Sequence, residues 1–302
     1  MTQPPDNASR QSAGPVRLLS FDLEEYFQVE AAAGAVGAGQ WDSFAQRSPA
    51  VVERILELLA SRGSTATFFV LGWIAQRQGD LIRRIARAGH EIASHGMAHA
   101  MIHRMTPEQF RDDAGESRRR LEDLSGSAVL GYRAPTFSIT RATAWALDVL
   151  AEAGFAYDSS IFPIRHDRYG VPDAPRFAHW AVGPAGGRLV EIPPLTLRIL
   201  GANAPVGGGG YMRLLPLAVV KAALNSAARA GRPAMIYLHP WELDPHQPPL
   251  AMSRLNRFRH RLGLSRMERK LQALLERYRF TSVAARLEEI RSNITERFVY
   301  GG

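Results

Sequence analysis

Short apolar runs alternate with amphipathic stretches along most of this chain. The runs predict strands at 17–22, 66–71, 91–94, 129–132, 155–158, 189–192, 234–239 and 280–283. Apolar positions three and four residues apart predict helices at 48–61, 80–89, 106–124, 140–154 and 216–230, with one or two more in 253–278. Asp80 and Thr106 are predicted N-caps, and Pro107 suits the first helical position after Thr106.

This alternation predicts a single α/β domain with a mostly parallel sheet and helices on both of its faces. About seven strand–helix units favour a closed, distorted barrel over an open sheet. The domain is expected to cover 15–302, after a flexible polar tail at 1–14. The Pro- and Gly-rich stretch at about 161–213 is predicted to be a long loop insertion of the kind that usually serves function.

The composition narrows the chemistry that the chain can perform. Hydrophobic residues make up 46% of the 302 positions, which is enough apolar material for one large core. The chain has no cysteine, so it can form neither a disulfide nor a thiolate metal site. Any metal ion must therefore be bound by histidine, aspartate or glutamate.

The net charge of +8 comes almost entirely from arginine, because lysine occurs only at Lys221 and Lys270. A basic surface can attract an anionic polymer, nucleic acid or a phospholipid surface. The arginines are dispersed along the chain, however, and their densest cluster, at 118–120, falls on a predicted solvated helix face. No nucleic-acid-binding motif accompanies them, so no nucleic-acid partner is expected.

Targeting signals are not apparent in the sequence. It shows neither the basic start and apolar run of a signal peptide nor the roughly 20 apolar residues that cross a bilayer. A cytoplasmic location without a transmembrane segment is therefore expected, and the oligomeric state is left open.

Ionisable side chains follow several predicted strands, at the end where the loops of a parallel barrel form its active site. They are Asp22, Glu24, His95, His99, Arg133, Asp158 and His239. His95 and His99 are four residues apart, so on a helical turn both rings would share one face and reach one ion. Two imidazoles and one carboxylate form a three-ligand site that leaves a position open for water. The set predicts a hydrolytic metal centre.

Five motifs, in order, resemble those of the polysaccharide deacetylase family, also called NodB-homology or carbohydrate esterase 4 proteins. They are SFDLEEYF at 20–27, SHGMAH at 94–99, YRAPTF at 132–137, Asp158 with its neighbours, and IYLH at 236–239. The resemblance covers nearly the whole chain from about Leu18 and implies a distorted (β/α)7-type barrel. Stretches such as GGGGYMRLLP at 207–216 and YLHPWELDP at 237–245 are similar to a bacterial subgroup found with exopolysaccharide and exosortase systems.

The resemblance also implies a role for individual residues. A divalent metal, expected to be Zn²⁺, would polarise the acetamide carbonyl and activate water. Asp22 would act as general base, Arg133 would hold Asp22 in position, and His239 would protonate the leaving amine. The metal and a backbone N–H between Tyr132 and Thr136 would stabilise the oxyanion.

The first motif departs from the adjacent pair of aspartates found in many family members, because Leu23 separates Asp22 from Glu24. Alternate residues of a strand face the same side, so Asp22 and Glu24 can share the site while Leu23 points into the core. Glu24 is therefore the expected third ligand beside His95 and His99, and Asp22 is the competing assignment. Glu25 is expected to be a solvated neighbour.

Contacts with the substrate are expected at Tyr132, Pro135, Asp158, Tyr211 and Trp241. The first three belong to the family-like motifs, whereas the last two are aromatic side chains near the site that can stack on the apolar faces of sugar rings. His179 and His260 lack partners at useful spacing and are expected on the surface.

The sequence thus predicts an enzyme that removes N-acetyl groups from N-acetylhexosamine units of a polysaccharide or oligosaccharide, with an exopolysaccharide as the expected polymer. The alternative reaction is hydrolysis of another carbon–nitrogen bond, such as that of a cyclic amide. The alternative class of protein is a non-catalytic relative that binds a polysaccharide. The set Asp22, Arg133 and His239 disfavours that class, because binding alone needs no acid–base pair.

Overall fold

The computed structural model describes residues 14–301, so the predicted tail lies outside the described residues except for Gly14. The strands in this range are β1 (Arg17–Leu23), β2 (Thr67–Val70), β3 (Glu91–Ser94), β4 (Gly131–Tyr132), β5 (Tyr157–Asp158), β6 (His179–Val182), β7 (Arg188–Glu191), β8 (Thr196–Ile199), β9 (Ala202–Pro205), β10 (Ala234–Leu238) and β11 (Arg297–Val299). The helices are α1 (Ser48–Ser61), α2 (Gly72–Arg77), α3 (Gly79–Arg87), α4 (Pro107–Ser125), α5 (Trp145–Glu152), α6 (Gly209–Leu214), α7 (Leu217–Arg229), α8 (Arg254–Arg261), α9 (Leu264–Leu275) and α10 (Leu287–Ser292). None of the helices within 14–301 is long and apolar enough to span a bilayer.

One large sheet organises the molecule and confirms the predicted α/β class. Its strand order is β10, β1, β2, β3, β4, β5, β7, β6 and β11, and all neighbours are parallel except β6 and β7. Seven parallel strands therefore run from β10 to β7. The chain after β7 returns to β10, where the N–H of Leu195 donates to the carbonyl of Met235 at 2.8 Å. A single bridge between Pro194 and Met235, rather than a ladder, joins the two ends of this seven-stranded arrangement.

The two faces of the sheet bury different apolar side chains. The residues of β1 that pack in the same cluster as helix side chains are Leu19, Phe21 and Leu23. Leu18 belongs instead to a second cluster, with Phe69 of β2 and Met235 of β10. Because side chains alternate along a strand, Ser20 and Asp22 point to the same inner side as Leu18.

Several predicted elements are confirmed with their local signals. The helix predicted at 48–61 is α1, and the strand predicted at 91–94 is β3. At the start of α4, the side chain of Thr106 accepts the N–H of Gln109 at 3.3 Å, and the Gln109 side chain accepts the N–H of Thr106 at 2.9 Å. This reciprocal capping, together with Pro107, explains why the sequence located that helix start well.

Other expectations are wrong. Asp80 is not an N-cap, since α3 begins at Gly79 and Asp80 lies in the first turn, where it pairs with Arg83 at 2.7 Å. The strand expected at 280–283 forms only one bridge, between Thr281 and Leu18. The stretch at 161–213 is not one loop, because it contains β6 to β9 and most of α6. These strands are four residues long, and the β8–β9 hairpin is largely exposed, so no buried apolar pattern marks it.

Glu25 is buried rather than solvated. Its Oε1 accepts hydrogen bonds from the N–H and the hydroxyl of Ser48 at 3.0 and 2.6 Å, and both of its carboxylate oxygens accept the N–H of Arg47 at 3.0 Å. The carboxylate therefore caps the N-terminus of α1, where free N–H groups and the helix dipole favour negative charge.

Candidate active site

The loops after β1, β3, β4 and β10 bring the sequence-predicted ionisable residues to one end of the sheet. Asp22 lies near the end of β1, and Glu24 follows that strand. His95, Arg133 and His239 each come directly after β3, β4 and β10. All five side chains are largely buried, and Arg133 has no exposed surface. Leu23 is buried on the opposite side, as strand alternation predicted.

Glu24, His95 and His99 form a cluster that fits one metal ion. Each offers one ligand atom, and these atoms lie within 4.8 Å of one another. Nε2 of His99 lies 2.8 Å from Oε2 of Glu24. Two imidazoles and a carboxylate without thiolate are a ligand set that Zn²⁺ accepts in hydrolytic sites. The chemistry of these donors, their burial and their proximity all fit the expected metal.

Neighbouring groups orient two of these donors. Nδ1 of His95 lies 2.7 Å from the carbonyl of Arg133. A hydrogen bond from Nδ1–H assigns the neutral tautomer whose Nε2 lone pair is available to an ion. The indole N–H of Trp241 donates to Oε1 of Glu24 at 3.1 Å, which leaves Oε2 towards His99. Burial raises the pKa of Glu24, but the imidazoles of His99, His239 and His95 outweigh it and lower that pKa to about 2.

The sequence predicted that His95 and His99 share one face of a helical turn. In the structure, a non-helical turn brings the two histidines together. Gly96 and His99 both have left-handed backbone conformations, with φ of 74° and 53°. The resulting turn places the rings of His95 and His99 with centroids 5.5 Å apart. Glycine at position 96 therefore meets a conformational requirement of the ligand loop.

Two helices hold this ligand loop in place. The N–H groups of Gly72 and Trp73, at the start of α2, donate to the carbonyls of Gly96 and Met97, both at 2.8 Å. From the other side, the carboxylate of Asp113 in α4 accepts the N–H of Met97 at 3.1 and 3.2 Å. Burial raises the pKa of Asp113 to about 6. The backbone of the ligand loop is thus held on one side by the backbone of α2 and on the other by the Asp113 carboxylate.

Arg133 anchors Asp22 on the inner side of the sheet. Its Nη1 donates to Oδ1 of Asp22 at 2.5 Å and to the hydroxyl of Ser20 at 2.9 Å. Its Nε and Nη2 donate to the carbonyl and hydroxyl of Ser159 at 3.0 and 2.8 Å, and the guanidinium lies 4.0 Å from the ring centre of Phe69. A charge buried this deeply is stable only when it is paired and hydrogen-bonded in this way. One oxygen of Asp22 is therefore fixed, while Oδ2 faces the site.

His239 completes the set on the opposite side. Its Nε2 lies 3.8 Å from Oδ2 of Asp22 and 3.6 Å from Oε1 of Glu24. Its Nδ1 lies 3.1 Å from Oε2 of Glu242, whose Oε1 pairs with Nε of Arg213 at 3.0 Å. Burial lowers the pKa of His239, but the hydrogen bond and charge of Glu242, helped by Glu24 and Asp22, raise it to about 9. A pKa this high favours the protonated imidazole near neutral pH.

Glu242 and Arg213, which support His239, are not among the site residues predicted from the sequence. Glu242 lies three residues after His239 and also accepts its backbone N–H at 3.0 Å, so the short helix after β10 brings them together. That i, i+3 spacing was a usable local signal. Arg213 comes from α6, distant in sequence, and no local pattern marks it.

A cavity of about 1080 Å³ opens over these groups. The site residues in its wall are Asp22, Glu24, His95, His99 and His239. Tyr211 and Trp241, expected to contact substrate, also line it.

The two histidines expected on the surface are buried. Trp241 stacks on His239 and His260, with ring centres 5.3 and 4.6 Å apart, so His260 lies in the cavity wall. His179 is also buried, and its Nε2 lies 2.7 Å from the hydroxyl of Tyr300.

The other three expected substrate contacts, Tyr132, Pro135 and Asp158, are not among the residues that line this cavity, and their roles stay predictions. Tyr132 packs between Phe110 and Phe155, because strand alternation turns it outward when Arg133 points inward. Pro135 is buried at the start of a short turn. Asp158 is fully buried and accepts the hydroxyl of Ser160 at 2.5 Å. Thr136 and Phe137, with φ of 57° and 52°, line the cavity instead.

Comparison with known proteins divides the chain into two matched segments. Residues 40–157 match the sequence model of a family described as polysaccharide deacetylase. Residues 159–288 match a domain of unknown function, DUF3473. The sequence of residues 40–157 is therefore similar to that of the polysaccharide deacetylases. The junction falls between β5 and β6 of one continuous sheet, and the site takes His95 from the first segment and His239 from the second.

Curated relatives match part of the chain, and one solved structure has a similar fold. The chain is 25% identical to a chitooligosaccharide deacetylase of Bradyrhizobium sp. (strain ANU 289), over 52% of the chain and 62% of the relative. It is 32% identical to a peptidoglycan deacetylase of Helicobacter pylori, over 36% of each protein. The chain thus spans less than two thirds of either relative. A crystal structure from Mycobacterium smegmatis assigned to the polysaccharide deacetylases has the same fold, with a TM-score of 0.63, 21% identity, and coverage of 98% and 97%.

Proposed function

We propose that this protein is a metal-dependent hydrolase that removes N-acetyl groups from N-acetylhexosamine units of a polysaccharide. The observation that carries the proposal is the convergence of Asp22 and His239, an acid–base pair 3.8 Å apart, beside the three-donor cluster of Glu24, His95 and His99. An exopolysaccharide is the polymer we favour, because the GGGGYMRLLP and YLHPWELDP stretches resemble proteins of such systems.

Glu24, His95 and His99 would hold the metal, with Zn²⁺ as the ion that suits them. When bound, Zn²⁺ supplies Lewis-acid polarisation of the acetyl carbonyl and makes water more acidic. Asp22 remains outside this ligand set in our assignment, because Arg133 holds its Oδ1 and its Oδ2 faces His239.

Asp22 is the proposed general base. As water adds to the acetyl carbonyl carbon, Oδ2 of Asp22 accepts a proton from that water. Arg133 donates to the other oxygen, so the carboxylate is oriented before substrate binds. The backbone N–H of Thr136, at the cavity wall, is the proposed protein donor to the oxyanion that develops on the carbonyl oxygen.

His239 is the proposed general acid. It donates the proton on Nε2 to the amide nitrogen as the carbon–nitrogen bond breaks, which yields acetate and a free amine. Glu242 holds Nδ1 and stabilises the protonated ring, and Arg213 in turn neutralises part of the charge on Glu242. This chain of contacts keeps the acid protonated before each turnover.

The cavity supports a carbohydrate substrate. Its volume of about 1080 Å³ lies at the upper end of the range for small-ligand sites, which suits more than one sugar ring. Tyr211 and Trp241 offer aromatic surface to the apolar faces of sugars. The relatives named as chitooligosaccharide and peptidoglycan deacetylases act on polymers of this chemical class.

The test is acetate release from N-acetylated oligosaccharides by the Zn²⁺-loaded protein. We expect Asp22→Asn to lower kcat by about 10²- to 10⁴-fold, the usual contribution of a general base. His95→Ala should abolish release together with metal binding. Asp80→Asn is the matched control, because this exposed carboxylate in α3 lies outside the cavity lining. The proposal is overturned if the wild type releases no more acetate than Asp22→Asn on any substrate.

A further inference from the structure

Two clusters of arginines along this chain have different surroundings. The three arginines at 118–120 in α4 each pair with a carboxylate of the same helix, Glu116 or Glu122, at 2.5–3.0 Å. Between Asp244 and Glu268, by contrast, the sequence has five arginines and no acidic residue. Helix α8 lies within this stretch. Four of these five arginines lie in α8, which therefore carries a local excess of positive charge.

The two faces of α8 have different environments. One face closes the active-site cavity, where His260 is buried against Trp241 and Asn256 contributes to the wall. On the opposite face, Arg254, Phe258 and Arg261 follow one another at helical spacing, and Arg257 lies beside them. These four side chains line a shallow depression of about 440 Å³. We call Arg254, Leu255, Arg257, Phe258 and Arg261 the outer face of α8.

The outer face combines unpaired positive charge with exposed apolar surface. Within 14–301, no carboxylate lies within 4.0 Å of a guanidinium nitrogen of Arg254, Arg257 or Arg261. Arg257 and Arg261 donate only to backbone carbonyls. Phe258 is 62% exposed and Leu255 is 56% exposed. Leu214 of α6, which lines the cavity as Asn256 does, is 61% exposed.

We propose that the outer face of α8 binds the surface of an anionic phospholipid bilayer. Arginines attract the anionic headgroups, and Phe258 and Leu255 can enter the boundary between headgroups and acyl chains. A soluble polyanion would satisfy the arginines but would leave these two apolar side chains in water. Since the opposite face of α8 forms part of the cavity wall, a bilayer bound at the outer face lies against the outside of that wall.

The test is sedimentation of the full-length protein with vesicles of phosphatidylcholine, with and without one third phosphatidylglycerol. We expect binding only to the anionic vesicles, and weaker binding as salt rises. Replacing Arg254, Arg257 and Arg261 by glutamine should weaken binding about 100-fold, at roughly five-fold per arginine. Phe258→Ser should weaken it roughly ten-fold. Neither change touches the lining of the cavity, so acetate release should persist.

The matched control removes the same charge elsewhere, through Arg62→Gln, Arg83→Gln and Arg291→Gln, three exposed arginines that pair with carboxylates. The proposal is overturned if this control loses as much vesicle binding as the α8 variant. It is equally overturned if the wild type binds DNA or alginate in solution but not the anionic vesicles. Should the triple α8 variant fail to fold, by circular dichroism, unchanged binding of a folded Phe258→Ser would still contradict the proposal.

Discussion

At the scale of single residues, two carboxylates separated by one position have different environments. Asp22 ends an inward-facing series on β1 and is fixed by the guanidinium of Arg133. Glu24 lies just beyond the strand, where the Trp241 indole and the His99 ring contact its two oxygens. The same spacing would also allow both carboxylates to bind one metal ion. Their different hydrogen-bond partners instead support Asp22 as the base and Glu24 as the metal ligand.

The protonation of His239 makes a prediction about pH. Its pKa of about 9 means that the proposed acid is protonated below that pH, so kcat should fall as pH rises through about 9. Glu242→Gln removes the negative charge that raises this pKa. The alkaline limb of the kcat profile should therefore move to lower pH by roughly one unit or more.

Acetate release measured between pH 6 and 10 would check this shift. Glu288→Gln, at an exposed carboxylate far along the chain, is the control that should leave the profile unchanged. An alkaline limb at the same pH in Glu242→Gln and the wild type would show that Glu242 does not tune the acid.

Sequence reasoning succeeded at residues whose placement follows from local geometry. Strand alternation placed Asp22 and Glu24 on the same side of the sheet. Applied to β4, the same rule would have turned the side chain of Tyr132 outward, because Arg133 points inward. Arg213 and His260 could not be located, because their contacts with Glu242 and Trp241 join segments that only the fold brings together.

At the scale of elements, the glycine run at 207–210 allows the chain to pass against β10. A Cβ on Gly208 would lie 1.9 Å from the backbone carbonyl oxygen of Tyr237, two residues before His239. A Cβ on Gly210 would meet only the guanidinium of Arg213, at an ordinary contact distance of 3.6 Å. Close packing against β10 therefore requires glycine at position 208 but not at position 210.

We expect Gly208→Ala to lower the free energy of unfolding by about 2 kcal/mol or more, because the backbone of β10 must move. Gly210→Ala is the matched control and should change it by no more than about 0.5 kcal/mol. Chemical denaturation of both variants measures the difference. Equal stability of the two would refute the close approach of this segment to β10.

The β6–β11 edge of the sheet contributes a pH-dependent term to stability. His179 is fully buried between the carbonyl of Phe177 and the hydroxyl of Tyr300, and burial lowers its pKa to about 4. The unfolded chain binds this proton near pH 6.5, so the folded state loses stability as pH falls from about 6.5 towards 4. The loss attributable to His179 should be on the order of 3 kcal/mol at pH 4.

The check is the free energy of unfolding at pH 7.5 and at pH 4 in wild type and His179→Gln. The variant should be less stable at pH 7.5 but should lose less stability on acidification. His103→Gln, at an exposed histidine, is the control that should keep the wild-type slope. A His179→Gln slope equal to that of the wild type would contradict the assignment.

At the scale of the whole molecule, two sequence segments with separate family descriptions share one sheet. The segment that matches the polysaccharide deacetylase model contains β2 to β4 with His95 and His99, and the segment that matches the domain of unknown function contains β10 with the proposed acid His239. Neither segment alone contains the site. Periodicity predicted the parallel core because its strands are buried and apolar, whereas β8, β9 and β11 are largely exposed and bear little apolar pattern.

In our proposal, Glu24, His95 and His99 bind the catalytic metal, and Asp22 does not. Calorimetric titration of the metal-stripped protein with Zn²⁺ tests it most directly. We expect one ion bound per chain in the wild type and in Asp22→Asn, and binding weakened at least about 100-fold in Glu24→Gln and His95→Ala. Wild-type affinity in Glu24→Gln together with lost binding in Asp22→Asn would contradict the account.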